Sequence, residues 1–143
     1  MLTQAELDSR THIAVEKYIK QLGIEAETMV SMARNHILPA ALQHQQRIAA
    51  AIAATKAAGV DCDDSIDALR SFVDLVTRLR TTTGAVERAA AHHVTDPMQH
   101  ASQISRELKP AMAELREVVD ALETHIAAEL WPLPTYRDLL FLK

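Results

Sequence analysis

Apolar residues recur along the chain at steps of three and four, the spacing that places side chains on one face of an α-helix. Three stretches follow this rule: Leu38, Ala41, Gln45, Ile48 and Ile52; Ile66, Leu69, Val73, Val76 and Leu79; and Leu108, Met112, Leu115, Val119, Leu122 and Ile126. No stretch alternates apolar and polar residues for long enough to predict a strand. The pattern therefore predicts an all-α fold, an antiparallel bundle in which these faces pack together.

Signals for helix ends divide the chain into three long helices. Thr3 and Glu6 have the spacing of a capping box, and Asp96-Pro97 joins a good N-cap to a proline at the first helical position. Gly59 is suited to ending a helix, and the aspartates that follow it are suited to starting the next. Within a single domain spanning 1–143, the predicted helices cover residues of about 4–58, 65–94 and 97–129.

Two prolines lie inside these helices, where each costs about 3 kcal/mol locally. The apolar stripes keep their phase across Pro39 and Pro110, so we expect kinks there instead of breaks. The first helix would be about 80 Å long and would have to overhang the bundle or fold back on it. Since Gly23 is a weak point in that helix, a four-helix bundle with a break near Gly23 or Pro39 is the alternative.

The C-terminal segment 131–143 is the strongest local signal for docking. It begins WPLPTY, in which two prolines stiffen the chain, and Thr135 with Asp138 predicts a short final helix. Large apolar side chains follow one another here and offer anchors for a surface. The predicted docking residues are Trp131, Leu133, Tyr136, Leu140 and Phe141. They dock either on the chain's own bundle or on a partner.

Charge and composition argue against several classes of partner. The formal net charge is −4, with 48% hydrophobic and 24% charged residues. Without a basic cluster, binding to nucleic acid or to an anionic membrane is not expected. No apolar stretch approaches the roughly 20 residues that cross a bilayer. Cys62 is the single cysteine and the N-terminus does not resemble a secretion signal, so a cytoplasmic location is expected.

No catalytic or cofactor-binding pattern is present. The chain has only three glycines, and it contains no glycine-rich turn that could hold a phosphate. Cys62 stands between aspartates, which oppose formation of a thiolate. We therefore predict no catalytic residue and no cofactor in this chain.

Seven histidines raise the question of a metal site. Helical bundles that hold two metal ions use Glu-x-x-His pairs, and none occurs here. His93, Asp96 and His100 have suggestive spacing, but the turn expected at Asp96-Pro97 would separate the two histidines onto different helices. His92 and His93 would point about 100° apart on a helix. No metal ligand is predicted, and a metal-binding bundle is kept as a weaker alternative.

Two blocks of sequence resemble the C-terminal helical region of type III glutamine synthetases. Residues 25–42 read EAETMVSMARNHILPAAL and resemble the beginning of that region. Residues 108–112, LKPAM, and 131–136, WPLPTY, resemble its end. The blocks stand in the family's order, and the resemblance extends over nearly the whole chain.

The resemblance implies a structural role in an enzyme of glutamine biosynthesis. Glutamine synthetases join ammonia to glutamate with ATP and Mg²⁺ or Mn²⁺, and the type III enzymes assemble as two stacked hexameric rings. The family's metal-, nucleotide- and glutamate-binding motifs do not occur here, so no activity is expected of this chain alone. The implied partners are the synthetase catalytic domain or neighbouring subunits. The pattern of apolar seams also favours a homodimer. The alternative is a stand-alone helical module for protein interaction.

Overall fold

The computed structural model describes residues 3–134 and 136–140, and for Tyr136 and Arg137 it describes the backbone alone. Every regular element in these residues is a helix, so the predicted all-α class is confirmed. The α-helices are α1 (Gln4–Met32), α2 (Leu38–Ala57), α3 (Asp63–Ala91), α4 (Pro97–Gln103), α5 (Lys109–His125) and α6 (Tyr136–Leu140). Two π turns, Ala33–Ile37 and Ile104–Leu108, join α1 to α2 and α4 to α5.

The first long helix consists of α1, the first π turn and α2. The break near Gly23 that a four-helix arrangement would use is absent, because α1 is continuous from Gln4 to Met32. Around Pro39 the backbone also stays helical, and Leu38 has φ −59° and ψ −45°. The alternative of a break at either position is therefore wrong.

Each internal proline follows a π turn. Leu38 N–H donates to the carbonyl of Ala33, and Lys109 N–H donates to the carbonyl of Ile104, so each bond spans five residues. Pro39 and Pro110 come directly afterwards, in the first turn of α2 and of α5. A proline ring clashes with the carbonyl one turn earlier, and the wider turn relieves this clash while the helix continues. The irregularities thus lie where the sequence predicted kinks.

Local caps fix the helix ends as predicted. Thr3 Oγ1 accepts from the Glu6 amide at 3.3 Å, and Glu6 Oε2 accepts from the Thr3 amide at 2.8 Å. The Thr3 hydroxyl also donates to Glu6 Oε2 at 3.0 Å, and the hydrogen bonds that Glu6 accepts from the Thr3 amide and hydroxyl, the amide first, lower the pKa of this exposed carboxyl below its ordinary value. Asp96 caps α4 by accepting from the Gln99 amide at 2.9 Å. Gly59 follows α2 with a left-handed φ of 78°, which glycine adopts without steric cost.

Two predicted boundaries are corrected. The second helix ends at Ala91 instead of residue 94, because His92 is extended and starts the connection to α4. The third ends at His125 instead of residue 129. The Thr124 hydroxyl donates to the Ala121 carbonyl at 2.7 Å, and His125 Nδ1 lies 2.8 Å from the same oxygen. Side chains that bond the backbone in this way compete with helical hydrogen bonds, and Ile126 is extended.

The core lies between the three long helical segments. Helix α3 packs most extensively on α5 and then on α2, and α1 packs on α3 and α4. The buried face of α3 is displaced from the predicted one, because Ile66, Leu69 and Val73 are only half-buried. Its buried members are Phe72, Val76, Leu79, Thr83 and Val86. In the third segment Leu108, Leu115, Val118 and Leu122 are 2% exposed or less.

The N-terminal part of α1 lies at the edge of this core. Residues 3–14 are all exposed, and Ala26 is the buried residue of α1. Around Thr11 and Val15 the helix lies near Pro97 and Met98 at the start of α4. The beginning of α1 therefore lies at the exposed edge of the bundle, beside the start of α4. In the described part of the chain, no helix combines the length and apolar character needed to cross a bilayer.

Candidate interaction surface

The C-terminal segment reverses direction and packs on the chain's own bundle. After α5 a tight turn forms, in which the Leu130 amide donates to the Ala127 carbonyl at 2.8 Å. Trp131 and Leu133 then lie against the core. Leu133 lines a groove with Ala33 and Ile37 of the first π turn and Leu115 of α5. Leu133 thus bridges the first and third long helical segments.

The indole N–H of Trp131 is buried where the C-terminal segment packs on α5. Its ring lies beside α5, in a groove that Val119 and Glu123 also line. The indole Nε1 is buried and has no hydrogen-bond acceptor among the described residues. A buried donor without a partner costs about 1–3 kcal/mol, so the apolar contact of the ring has to exceed that cost.

The predicted docking residues therefore divide into three groups. Trp131 and Leu133 contact the chain's own core. Leu140, on α6, is 77% exposed, and its neighbour Leu139 is 58% exposed. The side chain of Tyr136 and the whole of Phe141 lie outside the described residues.

Two ion pairs at the surface join distant parts of the chain. Arg47 Nη1 lies 2.6 Å from Glu129 Oε1, which ties α2 to the turn after α5. The pKa of Glu129 is lowered, first by a hydrogen bond from its own backbone amide and then by one from Arg47. Arg34 in the first π turn pairs with Glu87 of α3. These pairs join residues far apart in sequence, so no local pattern could predict them.

A second apolar surface, which the sequence analysis missed, lies on the outer face of α1. Ile13 and Ile24 are 62% and 65% exposed, and they lie about three helical turns apart on nearly the same face. Ile24 is two positions from the buried Ala26, so it points to the side away from the core. Lys17 and Lys20 line the same groove. We call Ile13, Lys17, Lys20 and Ile24 the outer face of α1.

The signal for this surface was present in the sequence. Most apolar residues of α1 that contact the core fall on one stripe, among them Tyr18, Leu22 and Met29. Ile13 and Ile24 stand about half a turn away from that stripe. An apolar residue on the polar side of an amphipathic helix is the pattern that would have identified them.

Two of the seven histidines contact each other across the turn before α4. His93 and His100 do lie on either side of the turn at Asp96-Pro97, but their rings come together, with centroids 5.1 Å apart and planes at 54°. The turn therefore separates the two residues along the chain as predicted, although His93 lies in the connection before α4 and not on a helix. His92 Nδ1 lies 3.5 Å from Glu107 Oε2. Within residues 3–134 and 136–140, no group of three or more His, Cys, Asp or Glu side chains could hold a metal ion.

The groove on the outer face of α1 is lined by that helix alone, so it cannot enclose a reacting molecule. Cys62 is buried at the start of α3, and its side chain makes no cap there. Exposed aliphatic side chains lie at two places on the described surface, the outer face of α1 and the helix α6.

Comparison with known proteins identifies relatives of the whole chain. Residues 1–56 match the family model described as the glutamine synthetase C-terminal domain. A glutamine synthetase of Bacteroides fragilis (strain YCH46) is 29% identical over 153 residues, and the match covers 100% of this chain and 21% of that protein. A type-3 glutamine synthetase of Dictyostelium discoideum is 26% identical, with 100% of this chain and 20% of that protein covered. A glutamine synthetase of Butyrivibrio fibrisolvens is 25% identical, with 99% and 21% covered. The chain thus spans about a fifth of the length of the curated relatives that it matches.

Proposed function

We propose that this chain is a non-catalytic helical domain of a glutamine synthetase. The proposal rests on its similarity to the C-terminal domain of such enzymes, including one of type 3. Its role is structural: it contacts the synthetase catalytic region or a neighbouring subunit. Synthesis of glutamine is an activity of the relatives as complete proteins. We expect that the isolated chain does not form glutamine.

The scaffold for this role is an antiparallel bundle of three long helical segments. Helix α3 packs back on α2 after the short connection that contains Gly59. The third segment then packs on α3, and the pair of Arg47 with Glu129 brings its end beside α2. Because α1 is part of this bundle, its outer face is already helical before it binds, which lowers the entropy lost on binding.

The observation that carries the proposal is the exposure of Ile13 and Ile24 on the outer face of α1. Full burial of an isoleucine side chain stabilises by about 1.5–3 kcal/mol relative to exposure, so both residues favour a covered state. Lys17 and Lys20 beside them supply charges for a polar rim. Leu139 and Leu140 provide a second exposed aliphatic site on α6.

A binding titration tests this function. The purified chain is added to the Bacteroides fragilis synthetase from which the matching fifth has been removed, and heat of binding is measured. We expect saturable binding that weakens at least tenfold in the double variant Ile13→Lys with Ile24→Lys. The matched control is Val60→Lys, which changes an apolar residue of similar exposure, 58%, in the connection before α3.

The outcomes are distinguishable. Equal affinity of the double variant and the control would show that the outer face of α1 is not the contact. Absence of binding by the wild-type chain would favour a stand-alone helical module. Light scattering on the chain by itself tests the homodimer, because a dimer doubles the monomer mass of 15.8 kDa. A dimer that the double variant abolishes would place two copies of this chain on the same surface.

A further inference from the structure

We propose that the outer face of α1 binds an acidic amphipathic helix. This helix presents carboxylates opposite Lys17 and Lys20, and apolar side chains opposite Ile13 and Ile24. The chemistry of the partner deepens the proposed function and rests on it in one respect, that the outer face of α1 is the contact.

The four residues of the outer face have the spacing of a helix that docks along one side. Ile13, Lys17, Lys20 and Ile24 continue the i, i+4, i+7 series by which a helix face is recognised. At about 1.5 Å and about 100° per residue, the two isoleucines lie about 16 Å apart along the axis and about 20° apart around it. The lysines lie between them, and α1 alone lines this surface. Such a straight ridge is covered along its length by a second helix that lies beside it.

Lys17 and Lys20 are cations without a counter-charge on their own chain. Both side chains are exposed, and neither forms an ion pair or a hydrogen bond with another described residue. The outer face is therefore positive, although the formal net charge of the chain is −4. Carboxylates on a partner would complement this face in sign, whereas a basic partner would be repelled.

The two carboxylates that line the same groove are already engaged. Glu16 Oε1 lies 3.3 Å from Nε2 of His12, one turn earlier on α1. Glu25 Oε1 accepts a hydrogen bond from the side-chain amide of Gln21 at 3.0 Å. Neither carboxylate pairs with a lysine of the outer face, so the lysines are left for groups of another molecule.

The order of charges disfavours a second copy of this face as the occupant. Parallel pairing in register sets each lysine against the same lysine of the other copy. Antiparallel pairing that brings Ile13 of one copy against Ile24 of the other sets Lys17 against Lys20. In both directions like charges meet between the apolar contacts, and such a juxtaposition opposes binding.

A pair of synthetic helical peptides tests the partner chemistry directly. The acidic peptide carries leucines at positions i and i+11 and glutamates at i+4 and i+7, and the matched peptide has lysines in place of the glutamates. In a calorimetric titration of the full chain at about 50 mM NaCl, the acidic peptide should bind at least tenfold more tightly than the matched peptide. In the variant Lys17→Glu with Lys20→Glu, the preference should be reversed.

Titration against the shortened Bacteroides fragilis synthetase tests the same chemistry on a protein partner. Lys17→Glu with Lys20→Glu should weaken binding at least tenfold. The matched control is Lys56→Glu with Lys109→Glu, which makes the same change in net charge at exposed positions of α2 and α5. Its affinity should stay within twofold of wild type. Wild-type affinity should fall as NaCl is raised from about 50 to about 300 mM, because salt screens exposed charges.

The outcomes separate the partner chemistry from the proposed function. Equal binding of the two peptides, or no saturable binding of the acidic peptide up to about 1 mM, would overturn the acidic partner. So would unchanged affinity of the Lys17 and Lys20 variant for the synthetase when Ile13→Lys with Ile24→Lys weakens it, and this result would leave the proposed function standing. Selective binding of the acidic peptide without any binding to the synthetase would support the acidic partner and refute the proposed function.

Discussion

Substitution of Gly23 by alanine tests the continuity of the first long helix. Gly23 lies in the interior of α1, with regular helix on both sides. Apart from the backbone of its own helix, a Cβ atom built at this position meets no atom within 4 Å. Alanine therefore fits without any movement of its neighbours, and its effect reports on the backbone alone.

The expected magnitude follows from helix propensity. Glycine in a helix interior is less favourable than alanine by about 0.5–1 kcal/mol, largely because it loses more backbone freedom on folding. We expect Gly23→Ala to raise the free energy of unfolding by this amount. For a chain of this size the melting temperature should rise by about 2–4 °C.

Gly59→Ala is the matched control with the opposite sign. A Cβ atom at Gly59 also meets nothing within 4 Å, but the residue has a φ of 78°. A left-handed backbone costs a residue with a Cβ atom about 1–2 kcal/mol, so this variant should be destabilised by roughly that amount. The two alanine variants differ only in the conformation that each glycine adopts.

The assay is urea unfolding at 25 °C, followed by far-ultraviolet circular dichroism, with calorimetry for the melting temperatures. The two midpoints should move in opposite directions while the slope stays constant. If Gly23→Ala destabilised the chain, the helix would have to end or turn sharply at Gly23. That result would refute the continuous first helix and restore the four-helix arrangement.

Three further effects follow from buried or capping residues. In urea unfolding, Leu115→Ala should lower the free energy of unfolding by about 3 kcal/mol, because this side chain is only 1% exposed. Leu42→Ala should lower it by less than about 1 kcal/mol, because Leu42 is 39% exposed. Trp131→Ala should lower the free energy of unfolding by about 2–3 kcal/mol in the same assay. Trp131→Phe should lower it by less than half as much, because this variant removes the unpaired Nε1–H and keeps an aromatic ring. Equal losses in the two variants would show that the indole has an acceptor. In a carbon-13 NMR titration Glu6 should have a pKa below the ordinary glutamate value, and Thr3→Ala should raise it. The pKa of Glu6 is lower in the folded chain than in the unfolded chain. The cap therefore contributes its full stability at pH values above the unfolded pKa, and this stability is lost as the pH falls through the folded pKa.

The all-α fold class and most of the helix ends could be predicted from the sequence, because local interactions determine them. The Thr3 and Glu6 pair satisfies amides within one turn, and Asp96 does the same for α4. The predicted resemblance to glutamine synthetases also rested on local blocks, and the relatives confirm it. These features need no knowledge of how distant segments meet.

The remaining features depend on contacts between segments. The buried face of α3 is set by the neighbours it packs against, and these favour Phe72 and Thr83 over Ile66. Thr83 satisfies its buried hydroxyl by donating to the Leu79 carbonyl at 2.6 Å, which allows a polar residue on that face. The encounter of His93 with His100 likewise depends on the path of the connection between α3 and α4.

Cross-linking with mass spectrometry tests the proposed contact role most directly. The chain and the shortened Bacteroides fragilis synthetase are mixed and treated with an amine-reactive cross-linker. The account predicts cross-links to the synthetase from Lys17 and Lys20, which lie between Ile13 and Ile24 on the outer face of α1. It predicts few cross-links from Lys56, which is exposed at the other end of the first long helix. Links from Lys56 without links from Lys17 or Lys20, or no links between the two proteins, would contradict it.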